Sequence, residues 1–192
     1  NTDDHLIVNA GAGTGKTTTI VESATLLPQG TKAAFLAFNK SIATELAERL
    51  PADVEAKTFH AFGFAAIRAA GIKTKVNGFK VNNIIKDLLG GDFYAAPLKK
   101  LVSLIKGSLI EGNDRKAINR LIDEYNINFN SEREEEIAIQ AIPSILTMCK
   151  TQTHLIDFDD MIWMPLVNDY PFPKYDVLFV DEAQDFNESQ RE

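Results

Sequence analysis

The most informative stretch of this sequence is Val8-Asn9-Ala10-Gly11-Ala12-Gly13-Thr14-Gly15-Lys16-Thr17-Thr18. A short apolar run over residues 6–8 leads into a glycine-rich loop, and the loop ends in Gly-Lys-Thr where a helical pattern begins. Glycines at alternate positions let backbone N–H groups turn inward around a phosphate, and the helix dipole adds partial positive charge. The stretch therefore predicts a phosphate-binding loop (P-loop) that follows a strand over residues 6–9.

Two side chains of this loop have the chemistry that a nucleoside triphosphate requires. Lys16 is a long cationic arm that can reach the β- and γ-phosphates, and the hydroxyl of Thr17 can ligate Mg²⁺ at the helix start. Ala10 departs from the general pattern, which has glycine at the first position. The predicted nucleotide-binding residues of the loop are Ala10, Gly11, Ala12, Gly13, Thr14, Gly15, Lys16, Thr17 and Thr18.

A second motif near the other end of the chain supplies carboxylates. The run Val177-Leu178-Phe179-Val180 is typical of a strand buried on both faces, and Asp181-Glu182-Ala183-Gln184-Asp185 follows it. Asp181 can hold the ion that Thr17 also holds, and Glu182 is placed to polarise a water against the γ-phosphate. The predicted site thus has the metal ligands Thr17 and Asp181, the catalytic residues Lys16 and Glu182, and further nucleotide contacts at Asp181 and Gln184.

Either motif alone has an ordinary structural explanation. The loop resembles any glycine-rich turn, and the acidic pair resembles a solvated strand end. Both motifs follow apolar runs and stand in the order that a nucleotide site requires, so together they favour a nucleoside triphosphatase.

Composition predicts a folded intracellular protein. The 192 residues are 45% hydrophobic, which is enough for one core or one core with a small appended domain. Cys149 is the single cysteine, so an intrachain disulfide is impossible, and its apolar surroundings predict a buried, inert thiol. No apolar run in the sequence is long enough to span a membrane, and no signal peptide opens it. A cytoplasmic location is expected. Both ends are expected to be cut from a longer protein, because the chain starts at Asn1 instead of a methionine and stops at Glu192, a few residues into the helix expected after the acidic motif.

Charge is unevenly distributed along the chain. The formal net charge of −7 argues against a nucleic-acid partner, but residues 72–110 contain seven lysines against two aspartates. A local basic surface can neutralise phosphates even on an acidic protein. The alternative is that these lysines only solvate the outer faces of helices. The lysines are Lys73, Lys75, Lys80, Lys86, Lys99, Lys100 and Lys106.

Strand and helix patterns alternate in the first part of the chain, which predicts an α/β fold with a parallel sheet. From residue 72 helical patterns replace the strands, and they predict an inserted all-helical subdomain. Asp157 is expected to cap the last long helix, an explanation preferred to a metal site for the acidic cluster over residues 157–160. The predicted strands cover residues 6–9, 33–38, 54–57 and 177–180, and the predicted helices cover residues 17–27, 41–50, 59–70, 81–89, 97–110, 114–125, 131–149 and 158–167.

Five motifs in order carry a family resemblance. They are the P-loop, Ala37-Phe38-Asn39-Lys40-Ser41-Ile42-Ala43, Lys57-Thr58-Phe59-His60-Ala61-Phe62-Gly63, Asp157-Phe158-Asp159-Asp160-Met161 and Asp181-Glu182-Ala183-Gln184-Asp185-Phe186-Asn187. The chain resembles the UvrD/Rep/PcrA-like DNA helicases of superfamily 1A, in which alanine is usual at the first P-loop position.

The resemblance implies a RecA-like P-loop domain, 1A, over residues 1–71 and 151–192, and an inserted domain, 1B, over residues 72–150. It also implies ATP and Mg²⁺ as cofactors, single-stranded DNA or a duplex junction as the partner, and 3′ to 5′ movement.

It further implies DNA contacts after two of the strands. Asn39 and Lys40 fall where one strand passes into a helix, and an amide and an ammonium there can hold a phosphate. Thr58, Phe59 and His60 follow the next strand, where a hydroxyl and two flat rings suit a phosphate and a stacked base. The alternative for Phe59 is packing in the core.

Two expected parts of such a helicase are missing from this sequence. The glutamine motif that reads adenine is absent, and so is the second RecA-like domain, whose arginines would complete the ATP site. The chain alone is therefore expected to be nearly inactive. Two other functions remain open: an ATPase subunit of a helicase-nuclease, and a P-loop module that is not a helicase, such as a small-molecule kinase.

Overall fold

The computed structural model describes residues 5–9, 11, 13–91 and 93–192. In chain order its elements are α1 Lys16–Thr25, β1 Ala33–Ala37, α2 Lys40–Arg49, β2 Val54–Thr58, α3 Phe59–Ala69, β3 Lys75–Val76, α4 Lys80–Leu89, α5 Ala95–Gly107, α6 Arg115–Glu124, α7 Glu132–Thr151, β4 Leu155–Ile156, α8 Phe158–Val167, β5 Val177–Val180, a 3-10 turn Ala183–Asp185 and α9 Glu188–Arg191.

The chain divides into two compact units. The first comprises Asn1–Phe59 and Lys174–Gln184, and the second comprises His60–Pro173 and Asp185–Glu192. These bounds differ from those of the expected domains 1A and 1B, and that domain division stays a prediction.

The first unit is built on a parallel three-stranded sheet with the order β2-β1-β5. The central strand β1 is fully buried, as its sequence Ala-Ala-Phe-Leu-Ala allows. Phe35 of β1 lies opposite Phe179 of β5, and the two rings stack with centroids 6.3 Å apart. Apolar side chains of α1 and α2 cover this face of the sheet, among them Val21 and Leu46. The predicted α/β fold with a parallel sheet is confirmed.

The strand predicted over residues 6–9 is wrong. Leu6, Ile7 and Val8 are 79%, 91% and 55% exposed, and no strand of the described residues pairs with them. A strand needs a neighbour for its backbone hydrogen bonds and a partner surface for its side chains. The apolar run has neither here, so it remains without regular structure.

The direction of the strands brings separate parts of the sequence to one edge of the sheet. Because β1, β2 and β5 are parallel, their carboxyl ends lie together. Asn39 follows β1, Thr58 ends β2, and Asp181 follows β5. This arrangement is the usual way in which an α/β sheet assembles a binding site from distant segments.

The second unit is mainly helical. Its core is formed by apolar side chains of α4, α5, α6, α7 and α8, including Leu101, Ile142 and Met164, which are fully buried. Asp157 caps α8 as predicted: its carboxylate accepts from the N–H of Asp160, and the carboxylate of Asp160 accepts from the N–H of Asp157. The structure adds one feature that the helical patterns did not predict, a two-residue parallel pairing of β3 with β4.

Helices α3 and α8 approach each other closely at Gly63. A Cβ atom at this position would lie 2.1 Å from the carbonyl oxygen of Met161. No side chain fits in that space, so only glycine permits the contact between the two backbones.

None of the helices in the part of the chain that the structure describes has both the length and the apolar character of a membrane span.

Candidate functional site

The P-loop presents backbone rather than side chains. Gly13 and Gly15 have φ angles of +74° and +85°, which side chains rarely tolerate. Gly15 is the N-cap of α1, and in this described segment no side chain caps the first turn, so its N–H groups can bind an anion. The hydroxyl of Thr14 donates to the carbonyl of Gly11 at 2.8 Å and ties the loop together. Two predicted loop residues, Ala10 and Ala12, lie outside the described residues.

Thr17 and Asp181 meet although 164 positions separate them. The hydroxyl of Thr17 donates to Oδ2 of Asp181 at 2.8 Å, while Oδ1 of Asp181 accepts from the N–H of Glu182 at 2.9 Å. Two side-chain oxygens therefore converge where the helix start faces the end of β5. Mg²⁺ in nucleotide sites uses few protein oxygens and completes its shell with phosphate and water. These residues fit that ion.

Lys16 and Glu182 form a second contact across the same site. Nζ of Lys16 lies 3.7 Å from Oε1 of Glu182, and the amide of Gln184 donates to Oε2 of Glu182 at 2.5 Å. The two charged side chains are 26% and 39% exposed, so this ion pair stabilises the fold little and can be exchanged for a ligand. Glu182 has a φ of +54°, an uncommon backbone conformation for a residue other than glycine.

Arg49 is a further candidate for nucleotide contact that the sequence did not predict. It ends α2, and its guanidinium donates to the hydroxyl of Thr18 at 3.4 Å and to Glu45 at 3.2 Å. A cation thus lies beside the first turn of α1. A basic residue in the last turn of a helix is explained by the helix dipole alone. The sequence held no signal for the contact with Thr18, because that contact depends on how α1 and α2 pack.

The predicted DNA contacts in the first unit differ in how far they are exposed to solvent. Lys40 is exposed, and so is Asn39, whose side-chain oxygen caps α2 by accepting from the N–H of Ile42 at 2.9 Å. Thr58 is half-buried at the end of β2. Phe59 is only 8% exposed, which places its ring in the core instead of on a surface. Three of these four side chains are therefore accessible at the carboxyl edge of the sheet.

The fifth predicted contact, His60, lies in the second unit beside an aromatic ring. Its imidazole packs edge-on against Phe158, with centroids 6.2 Å apart and planes at 78°. Phe158, the first residue of α8, is 60% exposed. Burial lowers the pKa of His60, and the nearby Asp159 opposes that shift in part. The sequence pattern over residues 157–160 predicted a helix start and held no signal for the exposed ring of Phe158.

Two of the seven lysines considered for phosphate binding are not on the surface. Lys80 and Lys106 are 2% and 0% exposed, and both are paired with carboxylates of α8. The basic region is thus smaller than its sequence suggests. The lysines that remain exposed are Lys73, Lys75, Lys86, Lys99 and Lys100.

Cys149 is fully buried in the core of the second unit. Burial raises the pKa of its thiol to about 11, so the thiol stays protonated at neutral pH. The predicted burial of Cys149 is therefore confirmed.

Comparison with known proteins identifies the family. A family model described as an AAA domain matches residues 2–192. The F-box DNA helicase protein 1 of Schizosaccharomyces pombe is 30% identical over 206 residues, which cover 97% of this chain and 23% of that protein. The chain therefore spans less than a quarter of the length of this relative. With the P-loop, the Asp-Glu pair and the parallel sheet in place, the chain belongs to the AAA-domain family that is found in superfamily 1 helicases.

Proposed function

We propose that the chain is the ATP-binding motor domain of a DNA helicase, which moves on single-stranded DNA in the 3′ to 5′ direction and unwinds duplex DNA at a junction. The observation that carries the proposal is the contact of 2.8 Å between Thr17 and Asp181, which joins the P-loop to the acidic strand end. The DNA helicase named above supports it through similarity over nearly the whole chain.

In this function each side chain of the site has a separate task. The N–H groups of the P-loop and Nζ of Lys16 bind the phosphates of ATP, and Thr17 and Asp181 hold Mg²⁺. The ion, when bound, neutralises charge on the β- and γ-phosphates. Glu182 accepts a proton from the attacking water, and Gln184 orients Glu182 through the hydrogen bond between them.

Lys16 has to break its ion pair with Glu182 before it can bind a phosphate. The ion pair between them is 3.7 Å long and partly exposed, so a bound γ-phosphate competes well for the ammonium. Its departure frees the carboxylate of Glu182 to act as a base. Arg49 adds a second cation beside the loop and is proposed as a further nucleotide contact.

We also propose the division into domain 1A over residues 1–71 and 151–192 and domain 1B over residues 72–150. A second RecA-like domain is proposed as the partner that completes the ATP site, so this chain alone is expected to be nearly inactive. The cytoplasmic location stays a prediction from the sequence.

For DNA we propose contacts in both units. Asn39, Lys40 and Thr58 provide polar groups for backbone phosphates at the carboxyl edge of the sheet. Phe158 provides an exposed ring on which a base can stack, supported edge-on by His60. Phe59, a predicted contact, would have to leave the core to stack on a base.

Replacing Phe158 with alanine should weaken binding of a single-stranded oligonucleotide by about 1–3 kcal/mol, since that is the usual contribution of one base stacked on an aromatic ring. Fluorescence anisotropy with the full-length protein measures it. Phe79→Ala is the matched control, because Phe79 is also in the second unit and is 68% exposed. Affinity should fall steeply as salt rises. Equal effects of the two substitutions would contradict the proposed base contact of Phe158, and binding that does not depend on salt would contradict the proposed phosphate contacts.

A further inference from the structure

Four charged side chains form a buried cluster in the second unit, hereafter the charged cluster. Lys80 comes from α4, Lys106 from α5, and Asp157 and Asp160 from the start of α8. Nζ of Lys80 lies 2.7 Å from Oδ2 of Asp160, and Nζ of Lys106 lies 2.9 Å from Asp157 and 2.8 Å from Oδ1 of Asp160. The exposed fractions are 2%, 0%, 7% and 0% in the order given.

Every oxygen of the two carboxylates in this cluster accepts a hydrogen bond. Asp160 accepts from both lysines and from the N–H of Asp157, and Asp157 accepts from Lys106 and from the N–H of Asp160. Lys80 also donates to the carbonyl of Cys149 near the end of α7 at 2.7 Å. The charged cluster therefore connects α4, α5, α7 and α8 at one point.

Stability alone does not explain such a cluster. Removing two ion pairs from water is costly, and well-packed apolar residues of similar volume are often as stable or more so. An ion pair with fixed hydrogen bonds differs from an apolar contact in that it permits only one arrangement of its partners. Asp157 at the N-cap of α8 and Asp160 at its third position are both held in place. Helix α8 can therefore adopt only one register and one orientation.

In the sequence, Phe158 lies between Asp157 and Asp160, the two residues whose carboxylates are fixed. Its neighbours Asp157 and Asp160 are buried and bonded, whereas its own ring is 60% exposed. The direction in which this ring leaves the surface is thus set by the anchored turn beneath it. A second constraint comes from α3, where Gly63 packs against the backbone of Met161 and His60 contacts the ring of Phe158.

We propose that Lys80 and Lys106 are positioning residues for single-stranded DNA binding: from the interior, they hold the start of α8 so that Phe158 presents its ring to a base. The proposal rests on the proposed function. The lysines touch no DNA. They act through Phe158, in contrast to the exposed lysines of residues 72–110, which would act on phosphates directly.

A double-mutant cycle tests whether Lys106 acts through Phe158. In the full-length protein, Lys106→Met should weaken oligonucleotide binding about 3- to 10-fold when Phe158 is present, and less than about 2-fold in a Phe158→Ala background, because residues that act through one another are not additive. The DNA concentration that half-stimulates ATP hydrolysis should rise in the same proportion, with turnover at saturating DNA little changed.

Lys99→Met is the matched control on the same helix. Lys99 is exposed on α5, so the loss of its charge should have the same effect in both backgrounds. If Lys106→Met does not fold, Asp157→Asn replaces it, because asparagine still caps a helix while the pairing with Lys106 is lost. The same non-additivity with Phe158→Ala is then expected.

The outcomes separate this inference from the proposed function. Absence of oligonucleotide binding by the wild-type protein overturns the proposed function. Binding that Phe158→Ala leaves unchanged, or a loss from Lys106→Met or Asp157→Asn of equal size in both backgrounds, overturns the positioning role alone. Non-additive loss with an additive Lys99→Met control supports it.

Discussion

Replacing Glu182 with glutamine should lower ATP hydrolysis by the full-length protein about 10²- to 10⁴-fold, the usual contribution of a general base. Glutamine keeps the size of the side chain but cannot accept the proton of the attacking water. Binding of ATP should persist or tighten. The reason is that Lys16 must leave residue 182 to reach a phosphate, and the glutamine at that position carries no charge to hold it. Single-turnover hydrolysis and equilibrium binding of a fluorescent ATP analogue measure the two effects separately.

Glu188→Gln is the control for this experiment. Glu188 is an exposed carboxylate in the first turn of α9, a few residues further along the chain. Its replacement should change hydrolysis little. Turnover in the Glu182→Gln protein close to that of the wild type would remove Glu182 from the role of base.

Replacing Asp160 with alanine should lower the free energy of unfolding by about 3–5 kcal/mol, the range observed when one partner of a buried ion pair is removed. Asp160 pairs with both buried lysines of the charged cluster. Burial by itself acts to lower the pKa of Lys106, but Asp160 and Asp157 outweigh it and raise that pKa, so the ammonium stays charged and would lose a partner. Urea unfolding of the chain, followed by circular dichroism, measures the loss.

Asp159→Ala provides the comparison for Asp160→Ala. Asp159 lies in the same turn of α8 and is half-buried, but it is not one of the four residues of the charged cluster. Its loss should cost less than about 1 kcal/mol, mainly through the helix dipole and the hydrogen bond between its side chain and Ser103. Similar losses at both positions would show that the ion pairs contribute nothing beyond the helix start.

Local sequence signals predicted most elements of the fold. Helix α8 occupies the predicted residues because an aspartate cap precedes a continuous apolar pattern, and Ser131 caps α7 by accepting from the N–H of Glu134. The strand over residues 54–57 and the one over residues 177–180 were also predicted, since each is a short apolar or β-branched run next to turn residues.

What the sequence could not predict depends on contacts between distant segments. The run over residues 6–8 has strand composition, but whether a strand forms depends on a neighbour that composition does not reveal. Lys80 and Lys106 read as surface cations because lysine is rarely buried, and their partners are more than 50 positions away.

In the candidate site, too, residues in local motifs could be predicted and contacts between distant segments could not. The P-loop and the acidic strand end carry short motifs with fixed spacing, so Lys16, Thr17, Asp181 and Glu182 could be named in advance. The exposure of Phe158 and the contact of Arg49 with Thr18 arise from packing and carry no local signal.

In the proposed function, the P-loop and the acidic strand end drive ATP hydrolysis that responds to single-stranded DNA. The steady-state ATPase rate of the full-length protein, measured with and without a single-stranded oligonucleotide for the wild type and for Lys16→Ala, tests this proposal. We expect turnover that the oligonucleotide stimulates in the wild type, and a loss of at least about 10²-fold in Lys16→Ala, since a phosphate-binding cation contributes on that scale. Turnover that does not change with DNA, or that persists in Lys16→Ala, would rule out the proposed function.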